Sequence, residues 1–223
     1  MDNLSVFDIV GPVMIGPSSS HTAGAVRIGN LAREIVGNKL KKIKVYLHGS
    51  FKETYKGHGT DKALIGGLLG LATDDSAIKN SFALAEEEGF SFEFSAADLD
   101  EVHPNTVKLE IIDQDDVTTT IVASSTGGGS IIVSELNGTQ VKLRGEYYTL
   151  ITFHEDRPGL IAKISEILQI YNLNIAEMEV LRQEKGSLAT AIINLDEKIN
   201  DNILRLLKDI PGIKNLKLLK PLI

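Results

Sequence analysis

The 223-residue chain contains no cysteine. Disulfide bonds, thiolate zinc sites and a cysteine nucleophile are therefore excluded, as is an iron–sulphur cluster held by thiolates of this chain alone. Long apolar runs are also missing. No stretch approaches the roughly 20 apolar residues of a membrane helix, and no basic segment leads into an apolar core near Met1. The expected location is the cytoplasm, without membrane attachment. Positive charge is in deficit as well: the formal net charge is −7, which makes nucleic acid a poor partner. The one basic cluster (Lys39, Lys41, Lys42, Lys44) reads as a solvated helix end that enters an apolar stretch at Ile43, Val45 and Leu47. What is present, 43% apolar and 24% charged residues, suffices for the core of one large domain or two modest ones.

Pattern and composition change together near Gly145, which divides the chain into residues 1–144 and 145–223. The later part has compact periodicity. Tyr147 to Phe153 is a β-rich run, and Asp156-Arg157-Pro158-Gly159 is a turn that opens a helix. Leu160, Ile161, Ile164, Ile167, Leu168 and Tyr171 follow at helical spacing. A strand over Ile175 to Leu181 then turns at Glu184-Lys185-Gly186 into a second over Leu188 to Leu195. A helix from about Ile199 to Ile210 stops at Pro211-Gly212, and Ile213 to Leu219 is a last strand. The order is the ferredoxin-like βαββαβ sandwich.

That order, with Asp156-Arg157-Pro158-Gly159-Leu160 between first strand and first helix, resembles the ACT domain. By that resemblance, the domain pairs edge to edge with a second copy and holds an amino acid at the first strand–helix loop. The implied effector residues are Asp156, Pro158, Gly159 and Leu160, with Asn174 and Ile175 facing them from the next strand. A helix N-terminus offers unpaired N–H groups to a carboxylate, which suits such a ligand. An ACT fold used for dimerisation alone stays equally open, because fold does not imply function.

Residues 1–144 read as a mixed domain, with helices early and strands late. Helices are expected over Thr22 to Val36, Asp61 to about Leu71 and Ala77 to Glu88. A strand is expected at Ile43–Leu47, and Lys56 to Thr60 reads as a glycine-rich loop. Later strands fall near Phe90–Phe94, Val107–Ile112, Thr118–Ala123 and Ile131–Leu136. The whole chain is α+β, with helices on one face of a sheet in this first part.

Four stretches carry candidate chemistry. In Gly16-Pro17-Ser18-Ser19-Ser20-His21-Thr22-Ala23-Gly24, hydroxyls crowd the start of an amphipathic helix. An N-cap needs a single hydroxyl. The others suit a carboxylate or phosphate, and His21 can donate a hydrogen bond or move a proton near neutral pH. The plainer reading is an over-polar cap with a solvated histidine. Lys56-Gly57-His58-Gly59-Thr60-Asp61 sets a histidine between glycines before a helix that Thr60 or Asp61 caps; the plainer reading is a surface loop. His103-Pro104-Asn105 holds His103 extended at a strand entry, and Ser124-Ser125-Thr126-Gly127-Gly128-Gly129 has more glycine than a hairpin needs. Turn chemistry alone also accounts for these last two.

Taken in order, these motifs together with Arg27-Ile28-Gly29 resemble the beta chain, or beta half, of bacterial iron–sulphur L-serine dehydratases along essentially the whole chain. Ala25 departs from that pattern, standing where proline is expected. The first part also resembles the substrate-sensing domain of some phosphoglycerate dehydrogenases. The resemblance implies conversion of L-serine to pyruvate and ammonia, in company with an alpha subunit whose cysteines hold a [4Fe–4S] cluster. It implies no metal on this chain. It casts Ser18, Ser19, Ser20, Thr22, Thr60, Asp61 and Asn105 as substrate-binding, and His21, His58 and His103 as catalytic. L-serine or another amino acid is the implied small-molecule partner. Two rivals remain: a non-catalytic amino-acid sensor, and a zinc enzyme built on the three histidines, for which no His-Glu-x-x-His spacing speaks.

Overall fold

The computed structural model describes residues 12–37, 39–182 and 184–222. The chain divides into two compact units, Met1–Arg144 and Gly145–Ile223.

In the first unit a single π-helical turn, Ser19–Ala23, runs directly into helix α1, Gly24–Val36. The apolar stripe of α1 (Val26, Ile28, Leu31, Ala32, Ile35) is buried, as its helical spacing requires. Strand β1 (Leu40–Leu47) follows, then α2 (Gly49–His58) and α3 (Thr60–Leu68). A 3₁₀ turn at Ser76–Asn80 leads into α4 (Ser81–Glu87). The remaining strands are β2 (Ser91–Ala96), β3 (Thr106–Asp113), β4 (Thr118–Gly127), β5 (Ser130–Leu136) and β6 (Thr139–Leu143). They form a six-stranded sheet in the order β2-β1-β3-β4-β5-β6. β1 and β2 run parallel, and the other neighbours antiparallel.

Register explains which face is buried. Ile43 pairs with Ile111, Val45 with Leu109 and Leu47 with Val107, and all six are buried. Lys44 opposite Glu110 and Tyr46 opposite Lys108 lie on the other face. α1 packs against β4 and β5 and crosses α3 at very short range. A Cβ on Gly29 would stand 2.4 Å from the Leu64 carbonyl oxygen, and one on Gly67 would stand 2.0 Å from that of Val26.

Three local expectations are corrected. Lys41, Lys42 and Lys44 are not a helix end: they lie on β1, where Lys42 and Lys44 approach Glu93 at 3.7 and 4.0 Å. The stretch Lys56 to Thr60 is not a loop. It is the junction of two helices, closed by Gly59 in the left-handed conformation at φ 69°. The strand near Phe90–Phe94 begins at Ser91, because Phe90 closes the turn that follows α4.

In the second unit the strands are β7 (Tyr148–Glu155), β8 (Ile175–Arg182), β9 (Leu188–Leu195) and β10 (Ile213–Leu219). Helices α5 (Leu160–Ile170) and α6 (Asp201–Lys208) complete the βαββαβ order. The sheet order is β10-β7-β9-β8, so β8 is an edge. Leu150, Ala191, Ile193 and Leu195 of the sheet are buried with Leu160, Ile164 and Leu168 of α5 and Ile203 and Leu207 of α6.

Candidate functional site

The π turn organises the first unit's site. A π turn widens the helix by one residue and is uncommon outside functional positions. Here the Gly24 N–H reaches back to the Ser19 carbonyl, while the Ser18 hydroxyl accepts the His21 N–H at 3.3 Å. His21 points inward between two serine hydroxyls: Ser18 Oγ lies 3.3 Å from its Nδ1 and Ser50 Oγ 3.1 Å from its Nε2. Its ring meets buried Phe51 edge-on, with centroids 5.2 Å apart, and the His58 ring at 4.9 Å. Burial lowers the His21 pKa below its ordinary value, and the charge His58 can carry adds to this; the contact with Ser50 opposes it. His21 is therefore neutral near pH 7, able to accept a proton at one nitrogen and donate from the other.

The same unit holds buried polar atoms with unspent bonding capacity. Thr22 Oγ1, Thr60 Oγ1, Ser125 Oγ and His58 Nδ1 are buried without a hydrogen-bond partner among the described residues. Thr22, Thr60 and Ser125 are 2%, 1% and 0% exposed, so water does not serve them freely. Leaving such a group unpaired costs about 1–3 kcal/mol each. A helix cap has no need of this, whereas a site that binds polar groups does.

Each predicted residue has a definite place. Ser18, Ser19, Ser20, His21 and Thr22 belong to the π turn or its cap, and His58 and Thr60 flank the α2–α3 junction beside it. Asp61 is spent locally: its carboxylate accepts the Lys62 N–H at 2.8 Å in the first turn of α3. His103 is exposed and its Nδ1 accepts the Asn105 N–H at 3.1 Å. That turn joins the site through its backbone. The Pro104 carbonyl accepts the Ser50 N–H at 2.9 Å, and the Asn105 carbonyl accepts the Ser125 N–H at 2.9 Å. Gly49, at φ 53°, lies flat on Pro104, where a Cβ would stand 2.6 Å from the carbonyl oxygen. Ser50 and Phe51 carry no sequence signal, since nothing in Gly49-Ser50-Phe51 announces a neighbour 29 residues back.

In the second unit the expected effector set splits. Asp156 follows β7 and accepts from Arg182 at 2.7 Å and from the Gly186 N–H at 3.1 Å. The Gly186 N–H first and Arg182 second hold its carboxyl below the ordinary carboxylate range. Gly159 caps α5 in the left-handed conformation at φ 82°, Pro158 is exposed, and Leu160 is a buried core residue. Asn174 and Ile175 do not face them within one copy. Ile175 and Tyr148 both pair with Leu195, so they lie at the opposite end of β7 from Asp156. An eight-residue strand puts about 24 Å between the two groups. Asn174 binds Asp196 and Glu197 instead, beside a concavity of about 400 Å³ lined by Gln169, Asn172 and Ile175.

The chain has no cysteine with which to ligate a cluster. Among the described residues no three His, Asp or Glu side chains gather closely enough to hold a metal ion. A [4Fe–4S] cluster therefore does not fit this chain's own residues. Among the described residues no helix is long and apolar enough to cross a membrane.

Residues 5–89 match the family model "Serine dehydratase beta chain", and residues 148–212 match "ACT domain". The probable L-serine dehydratase beta chain of Bacillus subtilis is 47% identical over 94% of this chain and 94% of its own length. The L-serine dehydratase beta chain of Peptoniphilus asaccharolyticus is 38% identical over 91% of this chain and 92% of its own length. The D-3-phosphoglycerate dehydrogenase of Bacillus subtilis is 26% identical over 87% of this chain, but over 37% of that longer protein. The chain belongs to the L-serine dehydratase beta-chain family.

Proposed function

We propose that this chain is the beta subunit of an L-serine dehydratase and, with a cluster-bearing alpha subunit, converts L-serine to pyruvate and ammonia. The observation that carries this reading is a neutral His21 whose ring meets His58 at 4.9 Å, on a π turn and a helix junction that also hold the buried, unpartnered Thr22 and Thr60 hydroxyls and His58 Nδ1. Serine supplies what such a site lacks: a carboxylate to accept from hydroxyls and an amino group to donate to them. Loss of the α-proton and the β-hydroxyl as water leaves an enamine. This tautomerises to the imine, whose hydrolysis gives pyruvate and ammonia.

The π-turn hydroxyls of Ser19, Ser20 and Thr22, with Thr60, hold the carboxylate at the head of α1, and Ser18 beside them bonds the His21 ring. His21 moves a proton, and His58 and the His103-Pro104-Asn105 turn close the site toward the alpha subunit. The cluster's share of the chemistry belongs to the partner, and the chain alone is inactive. A cytoplasmic location suits such an enzyme.

The ACT unit is the amino-acid sensor of the assembly. Its halves, Asp156 with the head of α5 and Asn174 with Ile175, meet when two copies pair antiparallel along β8. A two-fold axis sets the Asn174 end of one edge strand beside the Arg182 end of the other.

The test is His21→Ala in enzyme assembled anaerobically with the alpha subunit. Turnover falls at least about 100-fold if His21 moves the proton, with association and circular dichroism unchanged. Near-normal turnover removes His21 from the mechanism.

A further inference from the structure

Ser50 is the residue of this site that its surroundings explain least as structure. It occupies the first turn of α2 yet caps nothing: the N-cap position is His48, and no side chain makes a cap bond there. Its hydroxyl lies instead 3.1 Å from His21 Nε2, across 29 residues of sequence. Its backbone is pinned at both ends. The N–H donates to the Pro104 carbonyl at 2.9 Å, and the carbonyl accepts the Thr54 hydroxyl at 2.8 Å. Gly49, pressed on Pro104, leaves the segment no room to shift. A pinned backbone with a short side chain is a fixed reference point for whatever its hydroxyl touches.

We infer that Ser50 is a positioning residue that sets the tautomer and ring orientation of His21, and that it ties the His103-Pro104-Asn105 turn to that imidazole. This inference rests on the dehydratase reading given above. The inferred tautomer is Nε2–H, the one in which both serine contacts of the ring are used in a single direction. Ser18 Oγ already accepts the His21 N–H, so its own proton is free for Nδ1. Nδ1 is then the acceptor, and Nε2 carries the ring proton and donates it to Ser50 Oγ. The Ser50 proton is left to point onward. Proton movement through His21 accordingly enters at Nδ1, from the Ser18 side, and leaves at Nε2 through Ser50.

The test pairs two readouts, so that failure of this inference and failure of the dehydratase reading are told apart. The first uses the isolated full chain, labelled with ¹⁵N-histidine, with the His21 signals assigned through a His21→Asn variant. The wild type shows His21 in the Nε2–H form near neutral pH. Ser50→Ala moves it toward a mixed tautomer, and Ser50→Thr, which keeps the hydroxyl, does not. The second uses enzyme assembled with the alpha subunit: Ser50→Ala lowers kcat about tenfold with KM for L-serine within about twofold, and Ser50→Thr recovers most of the loss. An Nδ1–H form in the wild type, an unmoved tautomer in Ser50→Ala, or an unmoved kcat would each overturn the inference. If the assembled wild type makes no pyruvate, the dehydratase reading fails, and the tautomer readout still decides what Ser50 does to His21.

Discussion

His21 shows how much a single side chain's surroundings determine. In the unfolded chain it titrates near 6.5, while in the folded chain burial, and then the charge on His58, set it lower. Below about pH 6.5 the unfolded chain therefore binds a proton that the folded chain does not. Stability is at its full value above that pH and declines as pH falls toward the lower folded pKa. Buried His154 in the second unit adds a decline of the same sign, with burial again the leading cause. Urea midpoints at about pH 7.5 and about pH 5.5 measure the effect. The acid value is the lower one in the wild type, and the gap narrows in His21→Asn. An identical gap in both proteins would mean that His21 is not held neutral. His21 and His58 are candidates from their glycine- and hydroxyl-rich settings, and their rings lie 4.9 Å apart. Ser50 and the burial of Ser125 were not legible in the sequence, because both follow from how distant segments stack.

At the scale of elements, the chain's glycines separate two demands that sequence alone runs together. Gly67 sits where α1 and α3 touch, and a Cβ there meets the Val26 carbonyl oxygen at 2.0 Å. Gly67→Ala pushes the helices apart and costs about 1–3 kcal/mol or more. Gly57, within α2, has no atom within 4 Å of an added Cβ and no positive φ. Gly57→Ala therefore stabilises the free chain by about 0.5–1 kcal/mol. Thermal midpoints of opposite shift check the pair, and a loss of stability in both would contradict the helix contact described. The same helix shows why α2 escaped the reading. Gly-Ser-Phe-Lys-Glu-Thr-Tyr-Lys-Gly-His buries only Phe51, so it lacks the apolar stripe by which helices are recognised. β1 was legible only in its second half, Ile43–Leu47. The lysines at its start resembled a helix end, although Lys42 and Lys44 already alternate with the Ile43, Val45 and Leu47 of the expected strand. The π turn has no sequence signature at all. The βαββαβ order of the second unit, by contrast, was fully legible, because each of its elements carries its own periodicity and its own turn.

At the scale of the whole molecule, the two proposed associations would complete what one copy leaves open. The expected effector residues lie at opposite ends of the second unit because β7 runs the full length of the sheet between them. The proposed pairing along the β8 edge would rejoin them. Val180 on that edge is 46% exposed, and a lysine there blocks strand addition. Sedimentation should give a dimer for the wild type and a single chain for Val180→Lys, with unchanged circular dichroism; dimers in both would place self-association elsewhere. The second proposed association is with the alpha subunit, and the central claim depends on it. Pyruvate formation from L-serine, assayed anaerobically with this chain alone, with the alpha subunit alone and with the two mixed, tests that claim most directly. The account predicts activity in the mixture only, lost on exposure to oxygen and restored by iron. No pyruvate from the mixture, with L-serine still bound by this chain alone, would contradict it and make the protein an amino-acid sensor.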